Sequence, residues 1–426
     1  MAAPSPQPAA PAPASGGSYR LLYVSLLVVG AGNSMLQPLL PPLARELGLP
    51  DASLGWIFSL SALFWVFASP FWGRRSDDVG RKPIIALGMA AYAASMGLFA
   101  IVVIIGLNGL LSGAALFACL ILARAIFGAV GSAASPASQA YVADRSTPAQ
   151  RTERIAALTA AFALGATMGP AICAVLAGRF GLVFPLIFTC VLAGASAWTI
   201  WRFLPEPEKP SAPPERARWI DSWRLASDDR LAPFLIYGFG LSILGGTIQQ
   251  TYTLYLMDRL DVTGRAAAEQ ASAGFMVGAL ALLATQMALI PRLHWKSSTF
   301  MIAGAAVLSA GIVLQMLATT LGALVVSQFL QGAGFGLARP GFAGGASMSV
   351  RPHEQGAAAG LVVAVNGAGF VISPITGGVA YDYLHPLAPL AISLALALIM
   401  ALFASRSRRL KHIESAPPPP SIDPTN

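Results

Sequence analysis

Twelve apolar stretches, separated by short polar segments, constrain the fold of this chain more than any other feature. Each stretch approaches or exceeds the roughly 20 apolar residues that a helix needs to cross a bilayer. Only 11% of the 426 residues are charged, whereas a soluble domain carries about 25%. The sequence therefore predicts an all-α integral membrane protein with twelve transmembrane helices. The stretches lie near residues 21–43, 54–73, 83–106, 112–143, 155–178, 182–203, 231–257, 268–290, 298–317, 322–350, 357–381 and 386–404.

A polar segment in the middle of the chain divides the stretches into six and six. We therefore expect two six-helix bundles, at 20–204 and 231–405, joined by a linker at 205–230. The two ends, 1–19 and 406–426, are biased toward proline and alanine or proline alone, which is typical of disordered tails.

The positions of the basic residues predict the orientation. When alternate loops are assigned to opposite sides, 21 Lys and Arg fall on one side and 4 on the other. Cytoplasmic loops carry the excess of positive charge. We therefore expect both termini and the linker in the cytoplasm of a cell with this protein in its inner (cytoplasmic) membrane. No basic run is interleaved with aromatic residues, so nucleic acid is not an expected partner.

The second half of the chain repeats part of the first at a constant offset of 204 residues. With six stretches in each half, the two copies enter the membrane from the same side. Such a parallel repeat is typical of secondary transporters whose substrate site lies between two bundles. The alternative is a duplicated helical scaffold without transport. The matched pairs include Gly128 with Gly332, Pro136 with Pro340, Pro148 with Pro352, Gly165 with Gly369, and Pro170 with Pro374.

The segment between the second and third stretches carries the pattern Gly73-x3-Asp77-x2-Gly80-Arg81-Lys82. Glycine suits a tight turn between two helices. Asp77 can pair with Arg81 or with a helix N-terminus, where the dipole favours a carboxylate. We predict a latch that holds one conformation of a transporter. The alternative is a tight loop that only carries positive-inside charges.

This segment resembles the cytoplasmic signature of the major facilitator superfamily. Three further motifs strengthen the resemblance. Arg124-x3-Gly128-x2-Gly131 is similar to the arginine motif of the family's fourth helix. Gly165-x3-Gly169-Pro170 is similar to the Gly-Pro motif of its antiporter branch. Tyr141-Val142-Ala143-Asp144 resembles the end of the fourth helix in tetracycline and multidrug exporters.

The resemblance implies two helical bundles, alternating access and export driven by inward protons. It also implies that Asp144 joins Asp77 and Arg81 in a cytoplasmic charge network, and that the Gly-Pro motif packs helices at the bundle interface. The residues assigned to that packing are Gly165, Gly169, Pro170 and Pro374. The chain departs from the pattern at Cys173-Ala174, where the branch usually has a second glycine pair.

Charge at mid-membrane depth is positive in this sequence. No acidic residue or histidine lies in the middle of a stretch, whereas Arg124 and Arg339 do. An ionisable residue inside the membrane usually faces a cavity and marks function. Because no acid neutralises these arginines, an anionic substrate is one possibility. The alternative is that they hold helices together through carbonyls or glutamines.

A substrate cavity is predicted from the polar residues of several stretches, each of which could instead be a packing residue. Its proposed members are Arg124, Arg339, Asn33, Gln37, Gln249, Gln250, Gln328, Tyr252 and Asn366. By the 204-residue offset, Gln328 occupies the position equivalent to Arg124. We expect no metal and no cofactor.

The sequence favours a monomeric secondary transporter that exports an amphiphilic small molecule, with proton-coupled multidrug efflux as the leading hypothesis. An exporter of an anionic metabolite, siderophore or lipid, with weak or substrate-borne proton coupling, is the alternative. A membrane enzyme or non-transporting receptor ranks third, because the chain shows no catalytic constellation.

Overall fold

The computed structural model describes residues 16–206, 225–293, 295–351, 354–407 and 410. In these residues every regular element is helical, and twelve helices are long and apolar enough to cross a membrane. The predicted fold class is confirmed. Most of the predicted tails, at 1–15 and 411–426, and the linker residues 207–224 lie outside the described residues.

The helices, called spans 1 to 12 below, match the twelve predicted stretches in order. Two are irregular: span 4 contains a 3-10 turn at Gly131–Ala133, and span 8 ends in a π-helical turn at Thr285–Leu289 and a 3-10 turn at Ile290–Arg292. The bounds are Gly16–Glu46, Ala52–Val79, Arg81–Leu107, Gly113–Asp144, Pro148–Phe180, Phe184–Phe203, Ala232–Leu260, Gly264–Arg292, Ser297–Leu317, Leu321–Met348, Gln355–Tyr383 and Ala388–Arg406.

The chain forms two compact units. The first contains Met1–Arg216 and Val262–Ala273, and the second contains Ala217–Asp261 and Gly274–Asn426. In the first unit, span 1 packs along span 5 and span 3 packs along span 6. In the second, span 7 packs along span 11 and span 9 packs along span 10.

Small residues set the closest helix contacts in both units. Gly165 and Gly169, the latter just before Pro170, place span 5 against the backbone of Leu27 and Ala31 in span 1. In the second unit, Gly369 faces Ser242 and Gly246 faces Ser373, just before Pro374, so spans 7 and 11 approach in the same way. Gly165 and Gly169 therefore pack helices within the first unit, and the role of the Gly-Pro motif at the bundle interface stays a prediction.

The motif segment between spans 2 and 3 is mostly helical. Span 2 continues to Val79, six residues beyond the predicted end at residue 73, and Gly80 alone makes the turn with a φ of +119°. A Cβ atom at Gly73 would lie 3.7 Å from the Cβ of Pro136, an ordinary contact. The turn therefore requires glycine at position 80. At position 73 there is room for a larger residue.

Candidate functional site

Arg81 is the centre of a charged cluster in the first unit. Its side chain is buried, and its Nη1 lies 2.5 Å from Oδ1 of Asp77 and 2.6 Å from Oγ of Ser76. Its Nε donates to Oδ2 of Asp144 at 2.8 Å. The structure thus brings together the end of span 2, the start of span 3 and the end of span 4.

A third acid in the same cluster, Glu206, was not identified from the sequence. Oε1 of Glu206 accepts the backbone N–H of Arg81 at 2.7 Å, and its Oε2 accepts that of Lys82 at 3.0 Å. The carboxylate therefore caps span 3, whose N-terminal N–H groups and dipole favour an anion. The Tyr141 hydroxyl donates to the carbonyl of Pro205 at 3.0 Å and holds this segment against span 4.

Arg124 lies buried in the middle of the first unit. Its Nη2 donates to Oδ1 of Asn33 at 3.0 Å, which joins span 4 to span 1. Its guanidinium carbon is 4.8 Å from the centroid of the Phe127 ring, within the range of a cation–π contact. Its Nε and Nη1 have no hydrogen-bond partner among the described residues. Arg124 is therefore a buried cation, and only some of its N–H groups have a described hydrogen-bond partner.

Span 1 presents a narrow accessible face beside this arginine. Asn33 and Gln37 are one helical turn apart and half-buried, whereas residues 38–44 that follow them are buried. Two residues four apart lie on the same face of a helix. Span 1 therefore exposes two amides on that face.

The position equivalent to Arg124 in the second unit has a neutral network. Gln328 donates to Oε1 of Gln331 at 3.2 Å, and Gln331 donates to Oε1 of Gln315 at 2.7 Å. All three side chains are buried, and they join span 10 to span 9. Gln315 and Gln331 were not identified from the sequence. Glutamine is a common residue, and nothing in its sequence position shows which distant side chain it will bond to.

Arg339 differs from Arg124 in its accessibility. Its side chain is exposed, and its described contact is with the Phe335 ring, 5.5 Å away. The exposed residues Val326 and Phe329 mark one stripe of span 10, and Arg339 lies about 100° around the helix from it. Arg339 lies on the same face of span 10 as Gln328. It is therefore exposed on a different face from the apolar residues Val326 and Phe329.

Gln249 is the other exposed residue among the predicted cavity residues of the second unit. Every other side chain from Leu244 to Met257 in span 7 is buried, including Gln250 and Tyr252. The Tyr252 ring packs edge-to-face on Phe275 at 5.0 Å.

Asn366 accepts a hydrogen bond from Ser242 at 2.7 Å, which joins span 11 to span 7. Among the predicted cavity residues of the second unit, Gln249 and Arg339 are exposed, Asn366 is half-buried, and Gln250, Tyr252 and Gln328 are buried.

These features define a class, a helical multi-pass membrane protein with polar groups inside its spans and a charged cluster at their ends. In the described part of the chain, no three His, Cys, Asp or Glu side chains form a group that could hold a metal. A family model, the Major Facilitator Superfamily, matches residues 22–314 and 292–425. The chain belongs to that superfamily and is a transporter, not an enzyme.

Curated relatives match nearly the whole chain. The quinolone resistance protein NorA of Staphylococcus aureus (strain COL) is 24% identical over 401 residues, which cover 92% of this chain and 97% of NorA. Multidrug resistance protein 1 of Bacillus subtilis (strain 168) is 26% identical over 399 residues, with 89% and 95% covered.

Solved structures share the fold. A bacterial homolog of the human lysosomal transporter Spinster, inward-facing and occupied, aligns with a TM-score of 0.73 at 13% identity, covering 95% of this chain and all of the other. The human organic anion transporter MFSD10 aligns with a TM-score of 0.63 at 20% identity, covering 91% and 98%.

Proposed function

We propose that this transporter exports amphiphilic small molecules in exchange for protons, by alternating access of two six-helix bundles at 20–204 and 231–405. The observation that carries the proposal is the match along nearly the full length of both chains to NorA and to multidrug resistance protein 1, whose names state quinolone and multidrug resistance. The motifs of the antiporter branch around Arg124 and Gly169-Pro170 support the same function.

The charged cluster supports a gating role for the segment between spans 2 and 3. Arg81 bridges two carboxylates from different spans, and separation of those spans would break at least one ion pair. We propose that Asp77, Arg81 and Asp144 form the latch, with Gly80 as its turn. Because no described acid lies at mid-span, proton coupling in this proposal uses an acid at a span end.

The test is quinolone uptake into inside-out vesicles with an imposed pH gradient. We expect uptake that disappears when an ionophore collapses the gradient. The Asp77→Asn variant should lower uptake about tenfold, within the range of typical coupling energies. Asp78→Asn is the matched control, because Asp78 is the adjacent acid and lies 4.0 Å from Arg75. Equal uptake with and without the gradient would refute proton exchange.

A second candidate is export of anionic amphiphiles, and Arg339 favours it. This guanidinium is exposed and has no hydrogen bond or ion pair with a described residue. A charged group inside a span usually faces the substrate pathway. Arg124 is less available, because it is buried and bonded to Asn33. In this alternative Arg339 and Gln249 contact the substrate acid, and transport of anions depends little on the pH gradient.

We further propose that the protein acts as a monomer in the inner membrane with both termini in the cytoplasm. The excess of basic residues on one set of loops supports this orientation. Labelling of single cysteines introduced at residues 5 and 420 in intact cells tests the orientation. Labelling by a membrane-impermeant reagent before lysis would contradict the proposal.

A further inference from the structure

A cationic and aromatic cluster lies where span 3 begins and span 6 ends. Nζ of Lys82 is 5.8 Å from the centroid of the Trp201 ring, and the guanidinium carbon of Arg202 is 5.4 Å from that of Phe203. Neither cation has an ion pair with a carboxylate among the described residues. The Trp201 side chain is 60% exposed and that of Trp198 is 61% exposed. Exposed tryptophans at the end of a span mark the depth of the lipid headgroups.

Apolar stripes run along spans 3 and 6, the two spans that carry this cluster. On span 6, exposed residues recur at helical spacing and end at Arg202: Ile187, Val191, Ala195 and Trp198. On span 3 a similar stripe contains Leu87, Ala90, Ala94, Leu98 and Ile101. The two spans are in contact, because Gly97 faces Cys190 and Gly194 faces Ala93. The stripes therefore belong to neighbouring helices.

We propose that an anionic phospholipid binds at this edge of the first unit, with its phosphate on Lys82 and Arg202 and its acyl chains along the two stripes. A Lys or Arg near a membrane surface attracts the headgroups of anionic lipids. The indole of Trp201 orients the ammonium of Lys82 and packs on the glycerol region. Glu206 makes no ion pair with this ammonium among the described residues, and its two oxygens accept backbone N–H groups of span 3.

The apolar stripes distinguish a lipid from a free phosphate ion. A soluble anion would gain only the two charges, in an exposed position where salt screens them. A lipid gains the same charges and keeps its acyl chains on a surface that is already apolar. The proposal rests on this surface alone and is independent of the transported substrate.

The test is native mass spectrometry of the full-length transporter in detergent, titrated with phosphatidylglycerol or with phosphatidylcholine of identical acyl chains. We expect preferential retention of phosphatidylglycerol. Arg202→Gln should weaken its binding about fivefold, and Lys82→Gln with Arg202→Gln should weaken it further. Arg202→Gln alone keeps the experiment decisive if the double variant does not fold, because Arg202 has only the Phe203 ring as a described partner.

Lys296→Gln is the matched control. Lys296 is exposed at the start of span 9, beside the exposed Trp295, and its loss removes the same charge from a site without a second cation over an aromatic ring. Equal retention of the two lipids, or an equal loss in Lys296→Gln, would overturn the proposal. So would displacement of phosphatidylglycerol by millimolar inorganic phosphate, which would assign the two cations to a soluble anion.

Discussion

The two units use the same packing rule, and at one contact the glycine and the side chain have changed helices. In the first, glycine lies on span 5, where Gly169 faces Ala31 and Ser34 of span 1. At the position equivalent to Gly169, the second unit has Ser373, and the glycine lies on the opposite helix, where Gly246 of span 7 faces that serine. Each contact therefore has one side chain and one glycine, which keeps the two backbones close without a steric clash.

The polar interiors of the units differ more than their packing does. The first unit buries a charged residue, Arg124, against one amide. At the equivalent position the second unit buries Gln328 in a neutral chain of amides and exposes its arginine at position 339 instead. The repeat has thus preserved close helix packing, whereas the arginines of the two units lie at different positions.

The largest effect should come from breaking the exchanged packing contacts. Gly169→Leu should prevent recovery of folded protein, because its Cβ would press on the carbonyl of Ala31, a backbone atom that cannot move alone. Overpacking typically costs about 1–3 kcal/mol, and it costs more where, as here, the obstacle is backbone. Gly246→Leu should have the same effect in the second unit. Monodisperse yield and the melting temperature in detergent are the measurements.

Gly344→Ala is the control for these substitutions. No atom lies within 4 Å of the place that its Cβ would occupy. This variant should be as stable as the parent, or more stable by about 0.5 kcal/mol, because alanine favours the helix. A folded Gly169→Leu variant would mean that spans 1 and 5 separate more easily than their contact indicates.

The next effect sharpens the contrast between the two arginines. Arg339→Gln should weaken binding of an anionic amphiphile about tenfold to hundredfold, the value of a lost hydrogen bond to a charged group. The melting temperature should not change, because Arg339 makes no hydrogen bond to a described residue. Calorimetric titration with an anionic amphiphile and its neutral ester measures the loss of binding, and thermal unfolding in detergent measures stability. A loss of folding would assign Arg339 a structural role.

Arg124→Gln should behave in the opposite way. The variant loses the hydrogen bond to Asn33, because the shorter amide ends before the position of Nη2, but it also removes a buried charge that lacks an acidic partner. Burying an incompletely paired charge is costly, so the melting temperature should hold or rise. A drop of more than about 2 kcal/mol in stability would show that the cation–π contact with Phe127 outweighs that cost.

The sequence predicted the spans far better than it predicted the partners of polar residues. The stretch at 112–143 became Gly113–Asp144, because spanning depends on local hydrophobicity over a fixed length. Asp77 and Arg81 could be paired from their spacing of four. The contact of Glu206 with span 3 joins residues 125 positions apart, and that of Arg124 with Asn33 joins residues 91 apart. Such pairs depend on tertiary packing, which no local pattern encodes.

A smaller effect should follow from removing the cap of span 3. Glu206→Gln leaves an oxygen for one N–H group but removes the charge at the helix N-terminus. The expected loss is about 1 kcal/mol of stability. Thermal unfolding in detergent measures it, with Glu153→Gln as the control, since Glu153 lies in the first turns of span 5. The effect should shrink at high salt, because the interaction is partly exposed.

The smallest effect concerns the charged cluster of the second unit, which lacks a buried centre. Arg230 lies 2.7 Å from Asp228 and 3.5 Å from Glu354, and all three groups are at least partly accessible. Hydrogen bonds from the Arg230 side chain and backbone N–H lower the pKa of Asp228 from 3.8 to about 2. The ionised form is therefore favoured in the folded state, and the stabilisation is present above pH 4 and is lost as the pH falls toward 2.

Because this pair is accessible, Asp228→Asn should cost less than about 1 kcal/mol at neutral pH. The melting temperatures of parent and variant should converge as the pH is lowered from about 4 to about 2, since the parent then loses the same charge. Asp144→Asn, which removes a partner of the buried Arg81, should cost more at neutral pH. If Asp228→Asn and Asp144→Asn lost equal stability, burial would not explain the difference in stabilisation expected between the two charged clusters.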